Sequence, residues 1–251
     1  MMINYGDNMP ELNREIIEND ARKRGLEPLF HDNEPLDIKF ESEEHQKAII
    51  LQASPFKDWV ATAYNIIIAS WTTKPVFKDF DFMLEAVKNE PFATVPYEAY
   101  NLTVAVENVT RAILAQVQRH RGLVVHQFGY GELSTRNTDL RKSTIRIPQS
   151  VLDNPELAEK YKSSVLSLMS VYAEMIDDYH VPFEEARMLA PLGLETYVVI
   201  TGNLRVWLEY FKARKQEIAQ KEHRILVDKI IAAYEQAEPE MWNLIKEKFN
   251  L

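Results

Sequence analysis

The sequence contains no cysteine. That excludes disulfides, thiolate metal sites and any mechanism built on a cysteine nucleophile. Glycine is scarce, at seven of 251 residues, which argues for long regular elements over a loop-rich β architecture. Long hydrophobic runs are missing as well. The longest apolar stretches, 197–201 and 66–70, are far too short to cross a bilayer, so no membrane span is expected. The stretch from Met1 to Asp20 is acidic and broken by Pro10, unlike a secretory signal. A soluble cytoplasmic protein is therefore the expectation. The six histidines (His31, His45, His120, His126, His180 and His223) show neither HxxxH nor HxH spacing, so no metal site is expected from them.

What is present is an acidic globular composition with one basic island. The formal charge is −9, with 46% hydrophobic and 27% charged residues. From Arg111 to Arg146, however, six arginines and one lysine face two acids, Glu132 and Asp139. Arginine presents a rigid fork of donors that suits phosphate better than the point charge of lysine. In an acidic protein such a cluster points to a small, multiply charged anion and not to nucleic acid. The alternative is an ion-paired surface or an oligomer interface.

Along the chain, residues 1–40 read as a polar arm interrupted by Pro10, Pro28 and Pro35. Spacing from Glu43 to Trp71 predicts two helices separated by Pro55, with Ile49, Ile50 and Ala53, then Trp59, Ala63, Ile66 and Ile67, on one face. A helix is expected over 79–89. The alternation of Leu102, Val104 and Val106 predicts a strand over 100–106. Asn108 is then expected to cap a helix running from near Val109 to about Arg121. The loop that follows holds Gly122, Gly129 and Gly131, placed there for close approach to a ligand or simply for turns. A second strand is expected over 143–148. Asn154 and Pro155 open a helix to about Tyr179 with an inward stripe of Leu157, Tyr161, Val165, Leu168, Tyr172 and Ile176. Met169 and Met175 read as core filler. A short helix over 182–189, a β-branched strand over 196–201, a long helical region from Asn203 to near Ala237 and a last helix from Pro239 to Phe249 complete the chain. The sum is α+β and mostly helical.

Four segments, in order, resemble the flavin-dependent thymidylate synthases. Arg119-His120-Arg121 is followed by Glu132-Leu133-Ser134-Thr135-Arg136, similar to the family's arginine-histidine-arginine triplet and its serine-x-arginine. Upstream, Pro96-Tyr97-Glu98 resembles the family's proline-aromatic-glutamate, with a glutamine at Gln116. Downstream, ARMLAPLGLETYVVITGNLRVWLEYFKAR, from Ala186 to Arg214, resembles its carboxy-terminal segment without a gap. The likeness extends over roughly 91–231.

The resemblance implies a helix-rich single domain over residues 41–251 with a small, mostly antiparallel sheet. It also implies a homotetramer whose sites lie at subunit junctions and hold FAD and a deoxypyrimidine monophosphate. Methylenetetrahydrofolate would supply the carbon, and NADPH the electrons through the flavin. By position in the motifs, Arg119, His120 and Arg121 would meet FAD, together with Glu132, Asn203 and Glu209. Gln116, Ser134, Arg136, Arg187 and Arg214 would hold the nucleotide. Arg136 and Arg187 would pair with its phosphate, and Arg214 would act as the catalytic residue that favours charge developing on the pyrimidine. The missing cysteine fits this reading, because reduction would then fall to the flavin.

Several positions depart from the family pattern. Twelve residues separate Arg121 from Ser134, a longer spacer than usual. Gly131 and Glu209 stand where asparagine is expected, Asn137 where tyrosine is, and Ala93 and Ile218 where histidine is. Methylation of dUMP is the first expectation, and hydroxymethylation of dUMP or dCMP the second. A catalytically inactive flavin- or nucleotide-binding protein and a purely structural oligomer are the readings from other classes. Each residue also has a plainer role open to it. His120 could be a cation at a helix carboxy-terminus, and His126 and Tyr130 could be ordinary loop residues. Glu209 could face solvent, and Arg187 and Arg214 could be interface ion pairs.

Overall fold

The computed structural model describes residues 34–90, 94–125 and 138–249, together with 19 and 22–25. It divides into two compact units, Met1–Ser42 with Leu133–Glu195, and Glu43–Glu132 with Thr196–Leu251. The helix-rich α+β class is as expected. Most of the expected arm lies outside the described residues, but its end forms a strand, β1 (Lys39–Glu41).

In the second unit the helix expected before Pro55 is instead a strand, β2 (Lys47–Ala53). It pairs antiparallel with β3 (Asn101–Thr110), with an irregularity between Ile50 and Gln52. That irregularity is the physical reason for the misreading. Ala48, Ile50 and Ala53 pack on the core, so the inward spacing is two and then three, which breaks the period of a strand and imitates a helix. Ile49 and Leu51 face outward on this edge strand. Helix α1 (Phe56–Ile68) then begins directly after Pro55, and α2 (Phe80–Asn89) follows as expected.

Strand β3 carries Leu102, Val104 and Val106 inward, all fully buried. Asn108 does not cap the next helix. It takes a left-handed conformation (φ 59°), which asparagine tolerates better than most residues, and its amide donates to the His45 carbonyl at 3.0 Å. The cap is Thr110, whose hydroxyl accepts from Ile113 N at 3.3 Å. Helix α3 (Arg111–Val117) is therefore shorter than expected and ends before the arginine-histidine-arginine triplet. The chain turns through 118–123 into β4 (Val124–Val125), which pairs antiparallel with β6 (Glu195–Asn203). The four strands run in the order β2-β3-β6-β4.

A Cβ on Gly122 would lie 2.5 and 2.6 Å from the two Val206 methyls. That glycine serves the packing of the turn on the helix after β6, and needs no ligand to explain it. Asn203 caps that helix, its Oδ1 accepting from Val206 N at 3.1 Å. The single helical region expected after Asn203 is two helices. The first ends at Arg214 and the second starts at Lys221, and the break carries the carboxy-terminal end of one past the start of the other. In chain order they are α7 (Leu204–Arg214) and α8 (Lys221–Ala237), followed by α9 (Pro239–Phe249). Trp59 and Val60 of α1, the inward face of β3, Trp207 and Phe211 of α7, and Leu226, Val227 and Ile230 of α8 form one core. The indole N–H groups of Trp59 and Trp207 are satisfied inside it, on the carbonyls of Pro96 and Leu102 at 2.8 and 3.1 Å.

In the first unit β1 pairs in parallel with β5 (Thr144–Arg146). A single-turn helix, α4 (Gln149–Leu152), precedes the long α5 (Pro155–Asp177), which Asn154 caps as expected through Leu157 N at 3.2 Å. Val165, Met169 and Tyr172 are its buried face, packed with Leu140, Ile145 and Leu194. Leu157 is exposed and drops out of the expected stripe. Helix α6 (Phe183–Ala186) continues into a turn of 3-10 helix, Arg187–Leu189.

Candidate active site

Helical spacing brings the site together in the second unit. Gln116 lies on the last turn of α3, and His120 follows it by four residues. Tyr210 and Arg214 are four apart on α7, and therefore share a face. Gln220, Glu222 and His223 stand at the start of α8.

Arg214 is the hub. Its Nε donates to His120 Nε2 at 2.9 Å, and one terminal nitrogen approaches Gln116 Oε1 at 3.5 Å. His223 Nδ1 lies 3.3 Å from the same Gln116 oxygen, and its Nε2 lies 2.8 Å from the Tyr210 hydroxyl. The Gln116 amide nitrogen donates to Gln220 Oε1 at 2.7 Å. Gln220 in turn donates to Glu222 Oε2 at 3.5 Å, and buried Gln46 donates to Glu222 Oε1 at 3.2 Å. The His120 ring stands perpendicular to Tyr210, with centroids 5.0 Å apart.

The polarity of this chain follows from its two ends. A guanidinium carries donors and no acceptor, whereas a carboxylate carries acceptors and no donor. The Gln116 oxygen must therefore face Arg214, and its nitrogen must face Gln220. His120 Nε2 must be the bare nitrogen of a neutral ring. Burial, and then the Arg214 charge, both lower the His120 pKa from its ordinary value. The expectation that His120 is a helix-end cation is thus reversed, because its neighbour is itself a cation. For fully buried His223 burial comes first, then Arg214 and His120, and together they press its pKa down to about 3. Burial raises the Tyr210 pKa, so the hydroxyl keeps its proton.

The remaining expected residues divide. Arg119 and Arg121 are exposed and make no ion pair with a described residue, which leaves both forks available to an anionic group such as a diphosphate. Asn203 has its side-chain oxygen committed to the cap of α7. Glu209 is exposed and sits 3.4 Å from Arg205, which also pairs with Glu98 of the proline-aromatic-glutamate motif. In the other unit, Arg187 donates to the Glu184 carbonyl at 3.1 Å. Glu132, Ser134 and Arg136 lie outside the described residues, as do His126, Gly129, Tyr130, Gly131, Asn137 and Ala93.

The basic island is not one feature. Arg141 is fully buried between Asp139 (3.3 Å) and Asp177 (2.8 Å), and Arg146 is buried against Glu195 (2.8 Å). These two are ion-paired in the interior and not on a surface as expected, whereas Arg119 and Arg121 remain accessible. Sequence reasoning missed His223, Gln220, Glu222 and Gln46 altogether, and took Tyr210 for plain core. A signal for His223 was present. It sits at the spacing of Val227, Ile230 and Tyr234 on the buried stripe of α8, where a polar ring requires a partner.

Comparison with known proteins bears on the family and the fold. The family described as thymidylate synthase complementing protein matches residues 68–240. The flavin-dependent thymidylate synthase of Thermococcus onnurineus is 33% identical over 132 residues, which is 52% of this chain and 52% of that protein. The enzyme of the same name from Pyrococcus furiosus is 32% identical over 136 residues, 53% of this chain and 54% of that one. The chain thus spans about half the length of the curated relatives it matches. Among solved structures, Helicobacter pylori thymidylate synthase X with FAD and dUMP superposes with a TM-score of 0.56 at 16% identity, covering 78% of this chain and 98% of that one. The Streptomyces cacaoi UMP/dUMP methylase bound with 5-Br dUMP gives 0.64 at 13% identity, covering 84% and 97%. At such identities the two structures speak for the fold. With more than half of the sequence matched by the family, the chain belongs to the thymidylate synthase complementing proteins.

Proposed function

We propose that this chain transfers a one-carbon unit from methylenetetrahydrofolate to carbon 5 of dUMP, giving dTMP, with FAD as cofactor and NADPH as electron donor. The observation that carries this reading is the setting of Arg214. Its guanidinium is held by a neutral histidine and an amide, and no carboxylate among the described residues pairs with it. A cation in such a setting can polarise a pyrimidine and stabilise the anionic character that makes carbon 5 nucleophilic. Gln116 beside it would contact the base, and Ser134, Arg136 and Arg187 would hold the 5′-phosphate.

Arg119 and Arg121, accessible on either side of His120, fit the diphosphate of FAD. Glu132, Asn203 and Glu209 complete the proposed flavin contacts, Asn203 through its amide nitrogen because its oxygen is taken. When bound, FAD supplies the hydride that the protein side chains cannot. The relatives support a methyl product over a hydroxymethyl one, since each is named a thymidylate synthase or a methylase. A cytoplasmic homotetramer with sites at subunit junctions completes the proposal. No helix among the described residues is long and apolar enough to span a membrane.

The test is the mass of the nucleotide after reaction with FAD, NADPH and methylenetetrahydrofolate. A methyl increment on dUMP is expected. A hydroxymethyl increment would redirect the chemistry, and unchanged dUMP with bound flavin would leave a binding protein.

A further inference from the structure

Gln116 has one carbonyl oxygen with two lone pairs and one NH2 group with two hydrogens. Arg214 and His223 approach the oxygen at 3.5 and 3.3 Å, and Gln220 takes one hydrogen at 2.7 Å. What Gln116 can still offer a ligand is a single N–H donor. The two ends of the chain favour this orientation but hold it loosely, since the Arg214–Gln116 and Gln220–Glu222 contacts are each 3.5 Å long. The second hold on the oxygen is His223, and it works only while Nδ1 carries the ring proton. That tautomer leaves Nε2 bare. The Tyr210 hydroxyl, 2.8 Å from Nε2 in a region closed to solvent, then has an acceptor for its proton and supplies the partner that a bare buried ring nitrogen needs.

We propose that Tyr210 and His223 are a positioning pair that locks the Gln116 amide as a donor, and that the lock makes the site select a uracil-type carbonyl over a cytosine-type amino group. A carbonyl oxygen accepts the free N–H, whereas an exocyclic amino group would meet it donor to donor. Sites that hydrogen-bond one polar edge of a base discriminate by leaving a group unpaired when the wrong edge arrives. This rests on the pyrimidine-nucleotide reading above and deepens it. Neither Tyr210 nor His223 touches the nucleotide in this account; both act through Gln116.

The test is binding and turnover of dUMP and dCMP by the FAD-loaded full chain and by three variants. Tyr210→Phe removes one oxygen from the core and frees the tautomer. His223→Leu removes the hold on Gln116. In His223→Asn the side-chain amide replaces the Nδ1 donor and restores that hold. Wild type is expected to favour dUMP. Tyr210→Phe and His223→Leu are expected to cut the dUMP-to-dCMP ratio about tenfold, the worth of one hydrogen bond, through KM and with kcat little changed. His223→Asn is expected to recover most of the ratio. A purely structural role would lower thermal stability in all three and leave the ratio alone, which would overturn the inference. So would a wild type that binds both nucleotides equally, with the nucleotide reading intact. A wild type that binds neither would remove the pyrimidine reading, and this inference with it.

Discussion

Arg214 Nε rests 2.9 Å from the bare Nε2 of His120, so the catalytic candidate and the middle of the triplet form one hydrogen-bonded unit. A cation donating to a neutral ring keeps its charge for whatever binds next. The same contact fixes which nitrogen of His120 carries the proton.

Replacing Arg214 by lysine keeps the charge and loses the fork that spans His120 and Gln116. kcat/KM for dUMP is expected to fall about 100-fold, roughly 2.7 kcal/mol of transition-state stabilisation. The half-buried position of Arg214 predicts a small change in thermal midpoint. Steady-state kinetics beside a melting curve separates the two. A variant that loses activity only in proportion to its folded fraction would show that Arg214 is structural.

Arg119→Ala and Arg121→Ala remove accessible guanidinium groups that have no described ion-pair partner. Each is expected to weaken FAD binding about tenfold, with the loss shrinking at high salt, because charge-assisted contacts at an open site are screened. Flavin fluorescence titration at two ionic strengths measures this. Unaltered affinity in both variants would place the diphosphate elsewhere.

His223 gives the fold a pH dependence of known sign. Unfolded, its ring takes a proton as the pH drops below 6.5; folded, it stays neutral down to about 3. The unfolded state therefore binds the extra proton inside that window. Stability is fully present above it and declines as the pH falls, by about 1.4 kcal/mol per pH unit for one proton. His120, lowered in the same direction, adds to the slope. Urea denaturation from pH 6.5 to 4.5 should show a shallower decline in His223→Leu, by about one proton. Equal slopes in the two proteins would mean that His223 is already charged in the native state.

Gly122→Ala places a methyl 2.5 Å from Val206. The expected loss is about 1–3 kcal/mol from overpacking. Val206→Ala should return part of it, measured as a double-mutant cycle in denaturant. Without such coupling, the close approach would not be the reason for glycine there.

Glu195→Gln removes the carboxylate that lies 2.8 Å from the buried Arg146 charge. A loss of about 3–5 kcal/mol is expected, whereas Arg146→Met with Glu195→Leu should cost much less. Chemical denaturation of the two variants decides it. Equal losses in the single and double replacements would argue that the pair itself stabilises the fold.

Much of this was legible along the chain. Asn154 with Pro155 marked the start of α5, and the alternation of Leu102, Val104 and Val106 marked β3, because capping and side-chain period are local properties of backbone geometry. The order of the arginine-histidine-arginine triplet, the proline-aromatic-glutamate and the segment ending at Arg214 identified the family without coordinates. Where the reading failed, a non-local cause outweighed the local pattern. The irregularity at Ile50 to Gln52 is a property of pairing with β3. Asn108 is held by the His45 carbonyl 63 residues away, which leaves Thr110 to cap α3.

The charge states were beyond the sequence altogether. The sequence placed six arginines between Arg111 and Arg146 of an acidic chain, but burial against Asp139, Asp177 and Glu195 made two of them structural, while Arg119 and Arg121 stayed accessible. A lone His223 on a buried stripe signals that its ring needs a partner, but not which one. Tyr210 and Gln116 are 13 and 107 residues away from it, and folding alone brings their polar atoms within reach of its ring. Sequence determined which chemistry the chain carries. Tertiary structure decided which donors and acceptors remain free, because desolvation and hydrogen-bond polarity depend on neighbours that are distant in the chain.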